Sequence, residues 1–82
     1  MKLLYFAWVR ERIGTGGEDV ALPGDITTVG ALLGWLKARG EPYASALADP
    51  RIRAAVNQVH ARPDDAVRDT DEVAFFPPVT GG

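Results

Sequence analysis

The chain of 82 residues contains no cysteine, one histidine, one methionine and only two lysines among its nine basic residues. Without cysteine there is no disulfide, no thiolate zinc site and no side-chain thiol through which sulfur chemistry could run. A single histidine, His60, leaves no Ser-His-Asp set to assemble, and its place near the end of an apolar segment suits a structural or surface role. Basic charge is also scarce. The formal net charge of -2 argues against nucleic acid as the main partner, and the excess of seven arginines over two lysines reads as genomic composition bias rather than as a binding patch. Long hydrophobic runs are missing as well. The longest, "LLYFAWV" (Leu3 to Val9), is too short for a membrane span. One lysine precedes it and no small-residue cleavage site follows, so no signal peptide and no membrane partner are expected, and the expected location is the cytoplasm. The length is that of one domain, whose folding buries only about 60% of the unfolded surface.

What is present reads as alternating short elements. Residues 2–9 are rich in aromatic and branched side chains and predict a strand, apolar on both faces and therefore central. "GTGG" (Gly14 to Gly17) is a turn signal. It resembles a phosphate loop only superficially, since it lacks the lysine and the following helix. "EDVAL" predicts a second strand that forms a hairpin with the first. Thr27 or Thr28 then caps a helix whose apolar stripe is Val29, Leu32, Leu33 and Leu36, ending at Gly40. One or two helical turns follow in "EPYASALADP". "IRAAVNQVH" predicts a third strand, "ARPDDAVRDTD" a polar loop and "EVAFF" the last strand. The order β-β-α-β-β, without repeats or linker, predicts an α+β class chain with a mixed sheet and one main helix on one face. That is a β-grasp arrangement. The two most apolar strands, the first and the last, are expected side by side at its centre.

Candidate acid–base chemistry is thin. Asp64 and Asp65 are adjacent in a loop, and Asp71 and Glu72 are adjacent at a strand start. Neighbouring side chains on a strand point to opposite faces, so such pairs make poor catalytic dyads. They read as turn formers and solvated charge. The chain alone is expected to have no turnover, no metal site and no bound cofactor.

The ending "AFFPPVTGG" is different. Pro77 and Pro78 have no N–H to donate, so strand pairing stops at Phe76 and the chain leaves in a stiff, extended direction. The expected division is a folded domain over 1–76 and a flexible tail over 77–82. From Pro77 to Gly82 the tail spans roughly 20 Å at ~3.3–3.6 Å per residue. Gly81 and Gly82 carry no side chains and fit a narrow channel, at whose end a free carboxylate would arrive. A frayed terminus is the plain alternative. A carboxylate is a poor electrophile, but an acyl-adenylate made from ATP supplies a leaving group. Attack by a sulfur donor then gives a thiocarboxylate, and attack by an amine gives a protein modifier.

Three stretches, "MKLLYFAWVRERIG", "AAVNQ" and "DEVAFFPPVTGG", resemble the small subunit of molybdopterin synthase, and the likeness spans the whole chain. The resemblance implies a ubiquitin-like fold and a sulfur carrier. It implies that Gly82 is adenylated by an activating enzyme related to those of ubiquitin, is converted to a thiocarboxylate, and donates sulfur to cyclic pyranopterin monophosphate. The implied partners are a large synthase subunit holding the active site, the adenylyltransferase and a sulfur donor protein, in a heterotetramer that builds the molybdenum cofactor. ATP is used by the activating enzyme, not held by this chain. A thiazole-type sulfur carrier, an isopeptide-forming modifier and a plain interaction module remain alternatives. One departure from the family pattern is "DTDEV" where "DGDEV" is frequent. It puts Thr70 where a glycine would permit positive φ, so strain is expected there.

Alternation along the two central strands assigns Val73 and Phe75 to the helix-side core. It gathers Phe6, Trp8 and Phe76 on the opposite, partner-binding face, with His60 at the rim. Pro77, Pro78, Val79 and Thr80 complete the expected partner contacts along the tail.

Overall fold

The computed structural model describes residues 1–78; the tail expectations for Val79, Thr80, Gly81 and Gly82 lie outside the described residues. Eight elements follow one another. They are β1 (Lys2–Tyr5), α1 (Ala7–Ile13), β2 (Gly17–Asp19), α2 (Val29–Lys37), α3 (Tyr43–Ala46), β3 (Arg53–Val56), β4 (Val59–Ala61) and β5 (Glu72–Phe76). The strands form one sheet in the order β2-β1-β5-β3-β4. β1 and β5 run parallel at the centre, and every other neighbouring pair is antiparallel. This is the β-grasp α+β fold, with the two most apolar strands side by side as their composition predicts.

The core lies between one face of this sheet and the helices. Leu3 and Tyr5 of β1 stand in register with Val73 and Phe75 of β5, and all four are buried. Helix α2 closes over them with Val29, Leu32 and Leu36. Its start is capped by Thr28, whose hydroxyl accepts the Ala31 N–H at 3.1 Å. Gly40, at φ 91°, turns the chain just past the helix end. Helix α3 adds Ala46, and Leu47 follows it into the core.

Two parts of the sequence-based description need correction. The strand predicted over 2–9 ends at Tyr5. Val9 and Ile13, four residues apart, place both apolar side chains on one helical face and bury them in the core. Gly14, at φ 96°, ends that helix and donates its N–H to the Arg10 carbonyl at 2.8 Å. The first two strands are therefore antiparallel neighbours joined by a helix rather than by a tight hairpin. "IRAAVNQVH" is likewise not one strand. Asn57 and Gln58, at φ 50° and 68°, fold it into the β3–β4 hairpin with Val56 opposite Val59. Two positive φ values in a two-residue loop match the turn whose twist suits a hairpin, and asparagine tolerates that region.

The expected strain at Thr70 is absent. Non-glycine positive φ in the described residues is confined to Ala7, Asn57 and Gln58. The turn before β5 closes instead through Asp71, whose N–H donates to the Arg68 carbonyl at 3.0 Å while its carboxylate accepts the Arg68 N–H at 2.8 Å. That geometry leaves Thr70 an ordinary residue.

Candidate functional site: the open sheet face and the root of the tail

The face of the sheet away from the helices is built by alternation. Leu4 of β1 is in register with Ala74 of β5, and Ala74 with Ala55 of β3. Ala55 in turn faces His60 of β4, and Phe76 faces Arg53. Residues directly opposite one another share a face, so Leu4, Ala55, Ala74, Phe76, His60 and Arg53 stand together. The His60 and Phe76 rings meet edge to face, 5.4 Å between centroids. At the other end of the same face, Lys2 pairs with Glu72 and with Asp19 across the strands. The face is thus largely apolar toward one end, with Arg53 opposite Phe76, and charged toward the other.

The apolar end is where the tail departs. Because β1 and β5 are parallel, both leave the sheet at the same edge. Phe6 follows β1 there and donates its N–H to the Phe75 carbonyl at 3.1 Å. Its ring is 49% exposed, the second most exposed of the large apolar side chains after Val59. The next residue, Ala7, has φ 51°. This conformation costs an L-residue about 1–2 kcal/mol, and it turns the strand into α1 and leaves Phe6 outside the helix. Pro77 and Pro78, both half-buried, continue β5 past Phe76.

Of the residues expected on this face, Phe6 and Phe76 come together at the tail root and His60 lies beside them. Trp8 does not share a strand face with them, because it lies on α1. Arg12 sits over its ring at 4.1 Å and Arg51 at 5.3 Å, and Asp49 bridges the two guanidiniums at 3.5 and 2.8 Å. The hydrogen bonds from Arg51 hold the Asp49 carboxyl well below the usual carboxylate range. Trp8 is thereby clamped against its own domain. Sequence reasoning passed over Leu4, Ala55 and Arg53. The first was legible as the odd residue between Leu3 and Tyr5, but the other two depend on register.

A second cluster fastens the covered side of the sheet. Glu18 of β2 accepts the Tyr5 hydroxyl at 2.9 Å and the Tyr43 hydroxyl at 2.6 Å, with Arg39 at 3.4 Å. Burial opposes its charge, but the two hydroxyls and the guanidinium outweigh it and hold the carboxyl below its ordinary value. Burial first, and then the same carboxylate, push the Tyr5 hydroxyl upward. Among the described residues no helix is long and apolar enough to cross a membrane.

Residues 3–82 match the model of the ThiS family. The chain is 49% identical over its full length to the molybdopterin synthase sulfur carrier subunit of Escherichia coli (strain K12), covering 99% of that protein. It is 39% identical to the subunit of the same name from Haemophilus influenzae, again over its whole length and 99% of the relative's. Among solved structures, a putative molybdopterin converting factor subunit 1 from Pyrococcus furiosus superposes with a TM-score of 0.77 at 29% identity, over 95% of each chain.

Proposed function

Because this chain belongs to the ThiS family, we propose that it is the sulfur carrier subunit of a cytoplasmic molybdopterin synthase. The observation that carries this reading is the alignment of an apolar sheet end, at Phe6 and Phe76, with the departure point of a Pro-Pro-led tail ending in Gly81 and Gly82. A partner seated on that end receives the tail directly.

The chemistry follows from the terminal carboxylate. One oxygen of Gly82 attacks the α-phosphate of ATP on a ubiquitin-activating-like adenylyltransferase. Pyrophosphate leaves and an acyl-adenylate remains. Sulfide-level sulfur released by a donor protein then attacks the acyl carbon, AMP leaves with the bonding pair, and the acyl carbon keeps the sulfur as a thiocarboxylate. In the large synthase subunit that sulfur passes to cyclic pyranopterin monophosphate. This chain's part is to dock, to reach and to be thin. Phe6, Phe76 and the two prolines set the docking and the direction of exit; Val79 and Thr80 span the gap. Gly81 and Gly82 enter where a side chain would not. Trp8, clamped by Arg12 and Arg51, is assigned to the margin of the contact.

Deleting Gly82 tests the reading. The deletion leaves Gly81 as a competent carboxylate but shortens the reach by about 3.5 Å, and about 1 Å of misplacement is enough to cost 100-fold in rate. The expected result is a normal fold, unimpaired docking on the large subunit, and loss of thiocarboxylate formation by mass spectrometry. A variant that gains sulfur and donates it at the wild-type rate would overturn the proposal.

A further inference from the structure

Arg53 stands where the apolar end of the open sheet face meets the tail. It opens β3 and lies directly opposite Phe76, the last residue of β5 before Pro77. Cross-strand partners hold their Cβ atoms about 4.5–5.5 Å apart on one face, so the arginine and the phenylalanine leave the sheet side by side. The same phenylalanine ring meets that of His60 edge to face. Arg53 and His60 are both exposed in the chain by itself.

The charges at the two ends of this face are satisfied differently. Lys2 has Glu72 in register on one side and Asp19 on the other. Arg53 has no such neighbour. Its partner on β5 is Phe76, and Glu72 lies four residues back along that strand, about 13 Å away. Among the described residues Arg12, Arg39 and Arg51 form ion pairs and Arg53 forms none. The neighbouring elements offer it no spare acid. Arg12 of α1 and Arg51, two residues before β3, already share the carboxylate of Asp49. Arg62, one residue past β4, adds a further cation, and its N–H donates to the Asp65 carboxylate at 2.7 Å. The root of the tail is thus bordered by cations in a chain whose formal net charge is -2.

A partner that covers Phe76 also takes water away from Arg53. Removing a guanidinium from water is costly, and a paired carboxylate offsets that cost where an apolar surface does not. We propose, on the premise that the large subunit docks on this face, that it presents a carboxylate to Arg53 at the edge of the pocket that takes Phe76. The guanidinium fork binds both carboxylate oxygens, so the pair has a direction. The apolar contact has none. The ion pair therefore fixes the rotation of the docked domain, and with it the line along which the tail departs. Arg53 is in this sense a positioning residue for sulfur transfer.

The test is calorimetric titration of the full-length chain with the large subunit at low and at high salt. Arg53→Leu keeps an apolar side chain beside Phe76 and removes the charge. It is expected to weaken binding about tenfold or more, as the loss of a hydrogen bond to a charged group does, and to flatten the salt dependence of the affinity. Arg53→Lys should recover part of the loss. Lys37→Leu makes the same change of charge at an exposed position of α2 and should leave the affinity unaltered. In the complex of the Arg53→Lys variant, a carbodiimide should couple the introduced amine to an aspartate or glutamate of the large subunit. An amide forms, the reagent takes up the water, and mass spectrometry locates the link. Thermal unfolding reports whether each variant is folded. Arg53→Leu binding as tightly as the parent, with the same salt dependence, overturns the proposal. So does an equal loss in Lys37→Leu, or an introduced amine that couples to no carboxylate of the large subunit. Normal docking with impaired adenylation would assign Arg53 to the activating enzyme and overturn it as well. A parent chain that does not bind the large subunit would reject the sulfur-carrier reading together with the ion pair, whereas a parent that binds and Arg53 variants that bind equally would reject the ion pair alone.

Discussion

Phe76 and Glu18 show how differently two residues on opposite faces of one sheet contribute. Phe76 is half-buried, and its ring meets that of His60 edge to face. Phe76→Asp is expected to cost the isolated domain about 1–2 kcal/mol and to weaken association with the large subunit by at least about tenfold. Chemical denaturation and titration calorimetry read the two effects separately. A collapsed fold, or undiminished binding, would contradict the assignment of this face. Glu18 is the converse case. Glu18→Ala removes the acceptor of the hydroxyl of the buried Tyr5, at a cost of about 1–3 kcal/mol. Its pH signature follows from the depressed carboxyl. The charged form is favoured by folding, so this stabilisation is present above the unfolded carboxylate pKa of about 4.3 and is lost as pH falls through the lower folded value. Denaturation midpoints measured from pH 6 down to pH 3 should therefore fall less steeply in Glu18→Gln than in the parent chain.

At the scale of elements, the two short connections that sequence reasoning missed both rest on positive φ in residues with side chains. Asn57 and Gln58 close the β3–β4 hairpin at φ 50° and 68°. The Asn57 side chain also binds across to β5, donating to the Asp71 carboxylate at 2.9 Å and accepting the Glu72 N–H at 3.0 Å. Gln58 has no such bond among the described residues, so only its backbone conformation matters there. Gln58→Gly is expected to stabilise the domain by roughly 0.5–1 kcal/mol. Relief of the left-handed penalty of about 1–2 kcal/mol exceeds the added entropy of glycine in the unfolded chain, about 0.5–1 kcal/mol. Thermal unfolding would show it as a higher midpoint; a lower one would mean that the Gln58 side chain has a role of its own.

For the molecule as a whole, the proposed function assigns docking and sulfur transfer to different parts. The apolar sheet end is preassembled by β1, β5, β3 and β4, and the proposed reactive terminus follows it in the sequence. We expect the thiocarboxylated protein, mixed with cyclic pyranopterin monophosphate alone, to form no dithiolene above background. Product should appear only when the large subunit is added. Conversion by this chain alone, followed by mass spectrometry, would sink the carrier reading.

Composition and local pattern by themselves determined the fold class, the central pairing of the first and last strands, the α2 stripe with a threonine cap at Thr27 or Thr28, and the Pro-Pro exit before Gly-Gly. Each of these depends on side-chain periodicity or on the covalent limits of proline and glycine, which are properties of a short stretch of chain. The tertiary structure alone decided where the first strand stops, because "LLYFAWV" is apolar enough for either state and only the burial of Val9 and Ile13 against the sheet selects a helix. It decided that Phe6 rather than Trp8 joins Phe76, since that follows from the turn at Ala7. It also decided the register that sets Ala54 against Ala61 and Arg53 against Phe76. Pairing between distant strands depends on hydrogen bonds and packing closed over many residues of intervening chain, and no local window of sequence contains that information.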